Sequence, residues 1–96
     1  MATEVVHETE NSRYTIWSNG DNVGLADYRI RGNVIQFTHT EVDPSLRGQG
    51  LAGALIQAAL DDVRESTKYS VVPICGYVAD WIDAHPDYQD LVNRAS

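Results

Sequence analysis

An α+β domain is predicted, with a mostly antiparallel sheet, one parallel β-α-β crossover and two or so helices. Three observations predict it. Up to Val42 the chain alternates period-two segments with turn dipeptides; from Leu51 apolar residues recur at spacings of three and four; and after Lys68 a short β-branched run restores extended structure. With 96 residues the chain makes one small domain, spanning 1–96, whose core is large enough to fold alone but too small for two lobes.

Each element has a local cause. Residues 5–8 and 13–18 read as strands, the second with Tyr14 and Ile16 on one face and Thr15 and Trp17 on the other. Asn19-Gly20-Asp21-Asn22 is a strong turn signal, Val23 to Ile30 a third strand, and Arg31-Gly32-Asn33 turns into a fourth from Val34 to Val42. Asp43-Pro44 stops that strand, because proline cannot donate to a ladder and restricts the residue before it. Leu51, Ala52, Leu55, Ile56, Ala59, Leu60 and Val63 then form one apolar stripe of a helix running from about Gly50 to Glu65. Tyr69 to Ile74 is a fifth strand, apolar on both faces, with Pro73 marking an edge or a bulge. Tyr77 to Ala84 is a short helix with Val78, Trp81 and Ile82 inward, stopped by His85-Pro86, and a last turn is expected around Tyr88, Leu91 and Val92. The fourth and fifth strands, joined by the long helix, should lie parallel in a right-handed crossover. Ligands in such arrangements sit at the strand C-terminal ends, here Thr40 to Val42 and Ile74 to Gly76.

Composition narrows the function. The formal net charge of -7 argues against a nucleic-acid partner and suits a basic substrate such as an amine or a lysine side chain, or simply a solvated acidic surface. The longest apolar runs are too short for a membrane span, and Met1 to Glu10 lack the basic and apolar regions of a secretory signal, so a cytoplasmic protein is expected. Cys75 is the only cysteine, which excludes an internal disulfide and a thiolate metal cage; no metal is expected. His7 and His85 lack metal-ligand spacing to a second ligand, Trp17 and Trp81 read as packing, and Arg29 and Arg31 flank a turn, exposed or available to a nucleotide phosphate.

The stretch Thr40 to Ala52 leads from the fourth strand through a glycine-bearing turn into the long helix. A helix start presents unpaired N–H groups and the positive end of the dipole, Gly48 and Gly50 let a ligand approach the backbone, and Arg47 adds a cation, so the simplest guest is a phosphate. Gly48-Gln49-Gly50-Leu51-Ala52-Gly53 satisfies the dinucleotide fingerprint GxGxxG. That fold wants a parallel doubly wound sheet and an acidic residue about twenty positions on; residues 66 to 79 hold none, and hairpins precede the motif.

Arg47-x-x-Gly50-x-Ala52 resembles the (Gln/Arg)-x-x-Gly-x-(Gly/Ala) signature of the GNAT superfamily of N-acetyltransferases. With Phe37-Thr38-His39-Thr40-Glu41-Val42 before it and Pro73-x-Cys75-x-Tyr77-Val78 after it, the chain from about 34 to 92 is similar to the minimal, single-domain YjdJ-type branch. The resemblance implies the acyl-CoA N-acyltransferase fold, shortened at its C-terminal end, with acetyl-CoA as co-substrate. It places the pyrophosphate on the backbone of Arg47, Gly48, Gln49, Gly50, Leu51 and Ala52 and the pantetheine arm along the strand edge near Glu41 and Val42. A backbone N–H near Glu41 or Val42 would polarise the thioester carbonyl.

For catalysis the resemblance implies Cys75 as an acetyl acceptor or acid; read alone, a lone cysteine in an apolar strand is most often a small buried hydrophobe. His39 is a candidate base, because period two places Phe37, His39 and Glu41 on one face and parallel pairing could bring His39 near Cys75; a histidine bonded within the sheet explains it equally. Tyr77, after the strand end, is the candidate acid for the departing CoA thiolate by analogy with larger family members. Those enzymes add strands that wall the amine site, which this chain does not supply, so an open acceptor site suited to a protein or a polyamine is expected of a monomer. The rival expectations are a non-catalytic acyl-CoA binding or sensing module and a small protein-interaction domain without a ligand.

Overall fold

The computed structural model describes residues 3–46 and 48–94. Five strands, β1 (Thr3–Glu8), β2 (Arg13–Ser18), β3 (Asp21–Arg31), β4 (Val34–Val42) and β5 (Ser70–Pro73), lie in one sheet in chain order. Helix α1 (Leu51–Ser66) joins β4 to β5, and α2 (Gly76–Ala84) and the short α3 (Gln89–Val92) follow. The first four strands pair antiparallel and β4 with β5 parallel, the α+β architecture that the switch of period dictates. Pro73 sits in the edge strand, where its missing N–H costs no ladder bond. No helix among the described residues is long and apolar enough to cross a membrane.

Alternation decides the core. Tyr14 and Ile16 of β2, Ala26 and Tyr28 of β3, Ile35 and Phe37 of β4 and Val71 of β5 share one buried cluster with Leu55, Ile56, Ala59, Leu60 and Val63 of α1 and Val78, Trp81 and Ile82 of α2. The stripe of α1 is the one its spacing predicts, except that Ala52 is only half-buried. Fully burying each large side chain contributes about 1.5–3 kcal/mol before chain entropy is charged. Arg94 closes the bottom of α1 by donating to the carbonyls of Arg64, Thr67 and Tyr69 at 2.9–3.1 Å.

Two bulges shape the sheet. One follows Ile16 on the β2–β3 pair; the other lies on β3–β4, where Asp27 pairs with His39 and Tyr28 with Phe37, leaving Thr38 as the extra residue. Where β3 meets the end of β4, Gly24 is a steric requirement: a Cβ there would lie 2.9 Å from the Glu41 carbonyl and from Val42 Cγ2. The glycine lets the last residues of β4 lie close against β3.

His7, which the sequence leaves without a role, sits in a polar cluster at the sheet–helix seam. Its ring stacks on Tyr14 at 4.2 Å, its Nε2 lies 2.6 Å from the Tyr28 hydroxyl and its Nδ1 3.3 Å from Asp62, which also accepts the Tyr14 hydroxyl at 2.7 Å. Burial, and then the Asp62 carboxylate, push the Tyr14 phenol far above its usual value; burial raises Tyr28 too. In the unfolded chain a tyrosine ionises near pH 10, roughly. Above that pH the unfolded chain has released a proton that folded Tyr14 retains, so stability is full below about pH 10 and falls as pH rises beyond it. Tyr14→Phe is therefore expected to flatten the alkaline decline, leaving the shares due to Tyr28, Tyr77 and Tyr88, whose phenols are also raised, while costing about 1 kcal/mol at neutral pH for the lost hydrogen bond. Urea midpoints taken from pH 8 to pH 11.5 check this; equal declines in both proteins would refute it.

Candidate active site

The start of α1 is bare. Gly50 takes a left-handed conformation (φ 75°), no side chain caps the helix, and no acidic residue stands in its first turn. The first intrahelical bond at this end runs from Ala54 N–H to the Gly50 carbonyl at 3.0 Å, so the N–H groups of Leu51, Ala52 and Gly53 have no intrahelical partner. A Cβ on Gly48 or Gly50 would meet nothing within 4 Å, and both residues border a cavity of about 320 Å³ lined also by Val42, Asp43, Leu46, Leu51, Ala52, Gly53 and Tyr77. Several unpaired donors, a positive dipole end and an apolar wall fit a phosphate joined to an uncharged arm. Gln49 is exposed in the same turn, and the Arg47 expectation lies outside the described residues.

Beyond this turn the sheet splits. Pairing of β4 with β5 ends at Phe37 opposite Pro73, and the Cys75 N–H then reaches the Phe37 carbonyl at 2.8 Å while β4 runs on to Val42. Asp43 N–H donates to the Val23 carbonyl at 2.8 Å, so by alternation the Glu41 N–H also faces β3, whereas those of Thr40 and Val42 face the gap left by β5. Of the two expected carbonyl-polarising donors, Val42 is therefore available and Glu41 is not.

The Thr38 bulge corrects the predicted shared face of Phe37, His39 and Glu41. An extra residue reverses the alternation, so Phe37 is buried in the core while His39 and Glu41 point out on the opposite face, His39 Nε2 3.0 Å from Glu41 Oε1. Thr40 takes the place expected for His39: its hydroxyl lies 3.6 Å from Cys75 Sγ. Strict period two could not reveal this, since no residue type in Phe37-Thr38-His39-Thr40 marks the bulge.

Cys75 is half-buried at the N-cap of α2, where the N–H groups of Tyr77 and Val78 act on the sulfur without making the close bond of a formal cap. Burial alone would push the thiol up. The Thr40 hydroxyl and the backbone N–H groups of Val78, Tyr77 and Thr40 outweigh burial and hold the thiol below its usual value. Tyr77, 42% exposed, lines the cavity, and burial raises its phenol, so it keeps its proton at neutral pH. On the other side of the end of β4 a second cavity of about 460 Å³ is bordered by Asn22, Gly24, Leu25, Glu41 and Asp43. The structure thus gathers Cys75, Tyr77, Val42 and the turn from Gly48 to Ala52 around one gap, and sets His39 and Glu41 apart.

A family model described as GCN5-related N-acetyl-transferase matches residues 13–91, most of the sheet and both longer helices. The chain belongs to the GCN5-related N-acetyltransferase family. Among curated proteins, Protein NATD1 of Bos taurus is 31% identical to this N-acetyltransferase-family chain over 84 residues, covering 85% of this chain and 74% of that protein. A GCN5-like protein from Staphylococcus aureus, known from an NMR solution structure, has the same fold, with TM-score 0.71 at 23% identity over 92% of this chain and 85% of the other. A ribosomal-protein-alanine N-acetyltransferase from Brucella melitensis shares the fold with TM-score 0.60 at 22% identity, over 78% of this chain and 59% of its own. Family members generally use acetyl-CoA.

Proposed function

We propose that this member of the GCN5-related family transfers an acetyl group from acetyl-CoA to an amine by way of Cys75. The observation that carries the reading is the convergence of donors on Cys75 Sγ at the open end of the β4–β5 gap, beside the cavity that leads to the turn of α1. Gly48 to Ala52 hold the pyrophosphate, and Val42 N–H meets the thioester oxygen as charge builds on it. Cys75, as thiolate, attacks the acetyl carbon; the bond from that carbon to the coenzyme sulfur breaks, and the departing sulfur takes the Tyr77 proton. An amine then attacks the acetyl-cysteine, which frees the Cys75 thiolate. The proton the amine sheds passes to solvent at the open end of the gap, because His39 faces away from Cys75, and solvent restores Tyr77. Exchange of an acetyl group between two thiols is nearly balanced in energy, so the first step needs no further driving force. The acceptor is a polyamine, a lysine side chain or a small amine, in keeping with the formal charge of -7.

The decisive measurement combines a thermal shift with intact mass. Saturating acetyl-CoA is expected to raise the melting temperature, because a ligand that binds only the folded state stabilises it by mass action. Mass analysis should then show a single added acetyl group on Cys75, discharged by an amine panel at the same rate in His39→Ala, whose side chain faces away from the gap. A shift without acetylation or amine-dependent CoA release would leave a non-catalytic acyl-CoA binding module; no shift would leave a domain without this ligand.

A further inference from the structure

Past Phe37 the fourth strand has a sheet neighbour on one side only. Pairing with β5 stops at Pro73, so Thr40 to Val42 are placed in the sheet by β3 alone. The residues of β3 nearest the end of β4 are Asn22 to Leu25: Val42 pairs with Gly24, Glu41 with Leu25, and the Asp43 N–H donates to the Val23 carbonyl at 2.8 Å. This stretch of β3 is itself irregular. Ile16 pairs with Gly24 and Trp17 with Asn22, which leaves Val23 as an extra residue, and the Gly24 N–H donates to Asn22 Oδ1 at 3.1 Å.

The backbone angles of Gly24 do not call for glycine, since its φ is not positive, unlike those of Gly20, Gly32, Gly48 and Gly50. It also stands inside a strand, where glycine weakens the fold. Contact is what requires it. A Cβ there would lie 2.9 Å from the Glu41 carbonyl oxygen, 2.9 Å from Val42 Cγ2 and 3.0 Å from Ile16 Cγ2. Ile16 is fully buried and the carbonyl is backbone, so neither can swing aside. The end of β4 would have to move out by roughly 0.5 Å to regain ordinary contact. Such a move displaces Val42, which borders both the cavity at the start of α1 and the one on the far side of β4.

We propose that Gly24 is a positioning residue for acetyl transfer: lacking a side chain, and with its N–H held by Asn22, it seats Val42 where the Val42 N–H meets the thioester oxygen. The proposal rests on the transfer reading above. As the Cys75 sulfur bonds to the acetyl carbon and the coenzyme sulfur leaves with the Tyr77 proton, charge builds on that oxygen, and the distance at which a donor meets it is set from β3. A displacement well under the length of a bond is enough to cost rate at such a donor.

The test is the rate at which Cys75 gains an acetyl group from saturating acetyl-CoA without any amine, followed by intact mass, beside alkylation of the same cysteine by iodoacetamide. Gly24→Ala is expected to slow acetylation by about tenfold. The alkylation rate and the acetyl-CoA thermal shift should stay at wild-type values, because neither the sulfur nor the turn from Gly48 to Ala52 has moved. Asn22 is exposed, so Asn22→Ala keeps the question open to measurement even if Gly24→Ala unfolds the chain; it should slow acetylation in the same way, and Asn22→Asp, which keeps an oxygen acceptor, should restore it. Acetylation at the wild-type rate in folded Gly24→Ala or in Asn22→Ala would overturn the positioning role, as would a loss in which alkylation falls in step with acetylation. A wild-type chain that gains no acetyl group would overturn the transfer reading together with it.

Discussion

Cys75→Ala is expected to lower amine-dependent CoA release by about a hundredfold or more while leaving the acetyl-CoA thermal shift in place, since in the proposed mechanism the residue carries the covalent step but not the phosphate grip. The pH dependence of wild-type Cys75 follows from its surroundings. The free thiol ionises at about pH 8.5. Thr40 and the start of α2 hold the Cys75 thiol below its usual value, so its thiolate forms earlier as pH rises, and alkylation by iodoacetamide at pH 7 should outpace that of the urea-unfolded chain. Thr40→Val keeps the shape of the side chain and removes its hydroxyl; it should move the alkylation profile to higher pH, and Thr40→Ser should restore it. If Cys75→Ala retains turnover within about threefold of wild type, the amine attacks the thioester directly and Cys75 only packs.

Phe37→Ala should be among the most destabilising single changes, at about 3–5 kcal/mol, from the lost burial of a large aromatic and the cavity it leaves. Against a total of about 5–15 kcal/mol for a domain of this kind, that brings the fold near its threshold. Phe37 is 1% exposed, packs on the rings of Tyr14 and Tyr28, and stands where β4 leaves β5, its carbonyl accepting the Cys75 N–H at 2.8 Å. Urea unfolding should show a lower midpoint with little change in slope. A loss under about 1 kcal/mol would mean that the surrounding core collapses into the space, contrary to the close packing seen here. The same variant at low temperature, where it stays folded, should alkylate at Cys75 with a broader pH profile, because the sulfur is positioned through that strand.

Much of the candidate site was legible because its parts are local. The turn from Gly48 to Ala52 announces itself by two glycines before a periodic apolar run, and both glycines do take positive φ. Cys75 and Tyr77 follow a strand whose β-branched residues mark it, and the crossover rule places that strand beside β4. Residues whose roles depend on several elements at once were not legible. Gly24 reads as an ordinary glycine in a strand until the sheet shows that a Cβ there would fall 2.9 Å from the β4 backbone.

By itself the sequence determined the order and period of the elements, the apolar faces they bury, and a helix start that no side chain caps, because each follows from side-chain spacing within one segment. The tertiary structure alone decided which residues meet at the gap. A bulge at Thr38 inserts one residue into a period of two, and that single offset sends His39 outward to Glu41 and turns Thr40 toward Cys75. Bulges arise from how two strands twist and register against each other, a property of the pair that neither strand's own alternation contains.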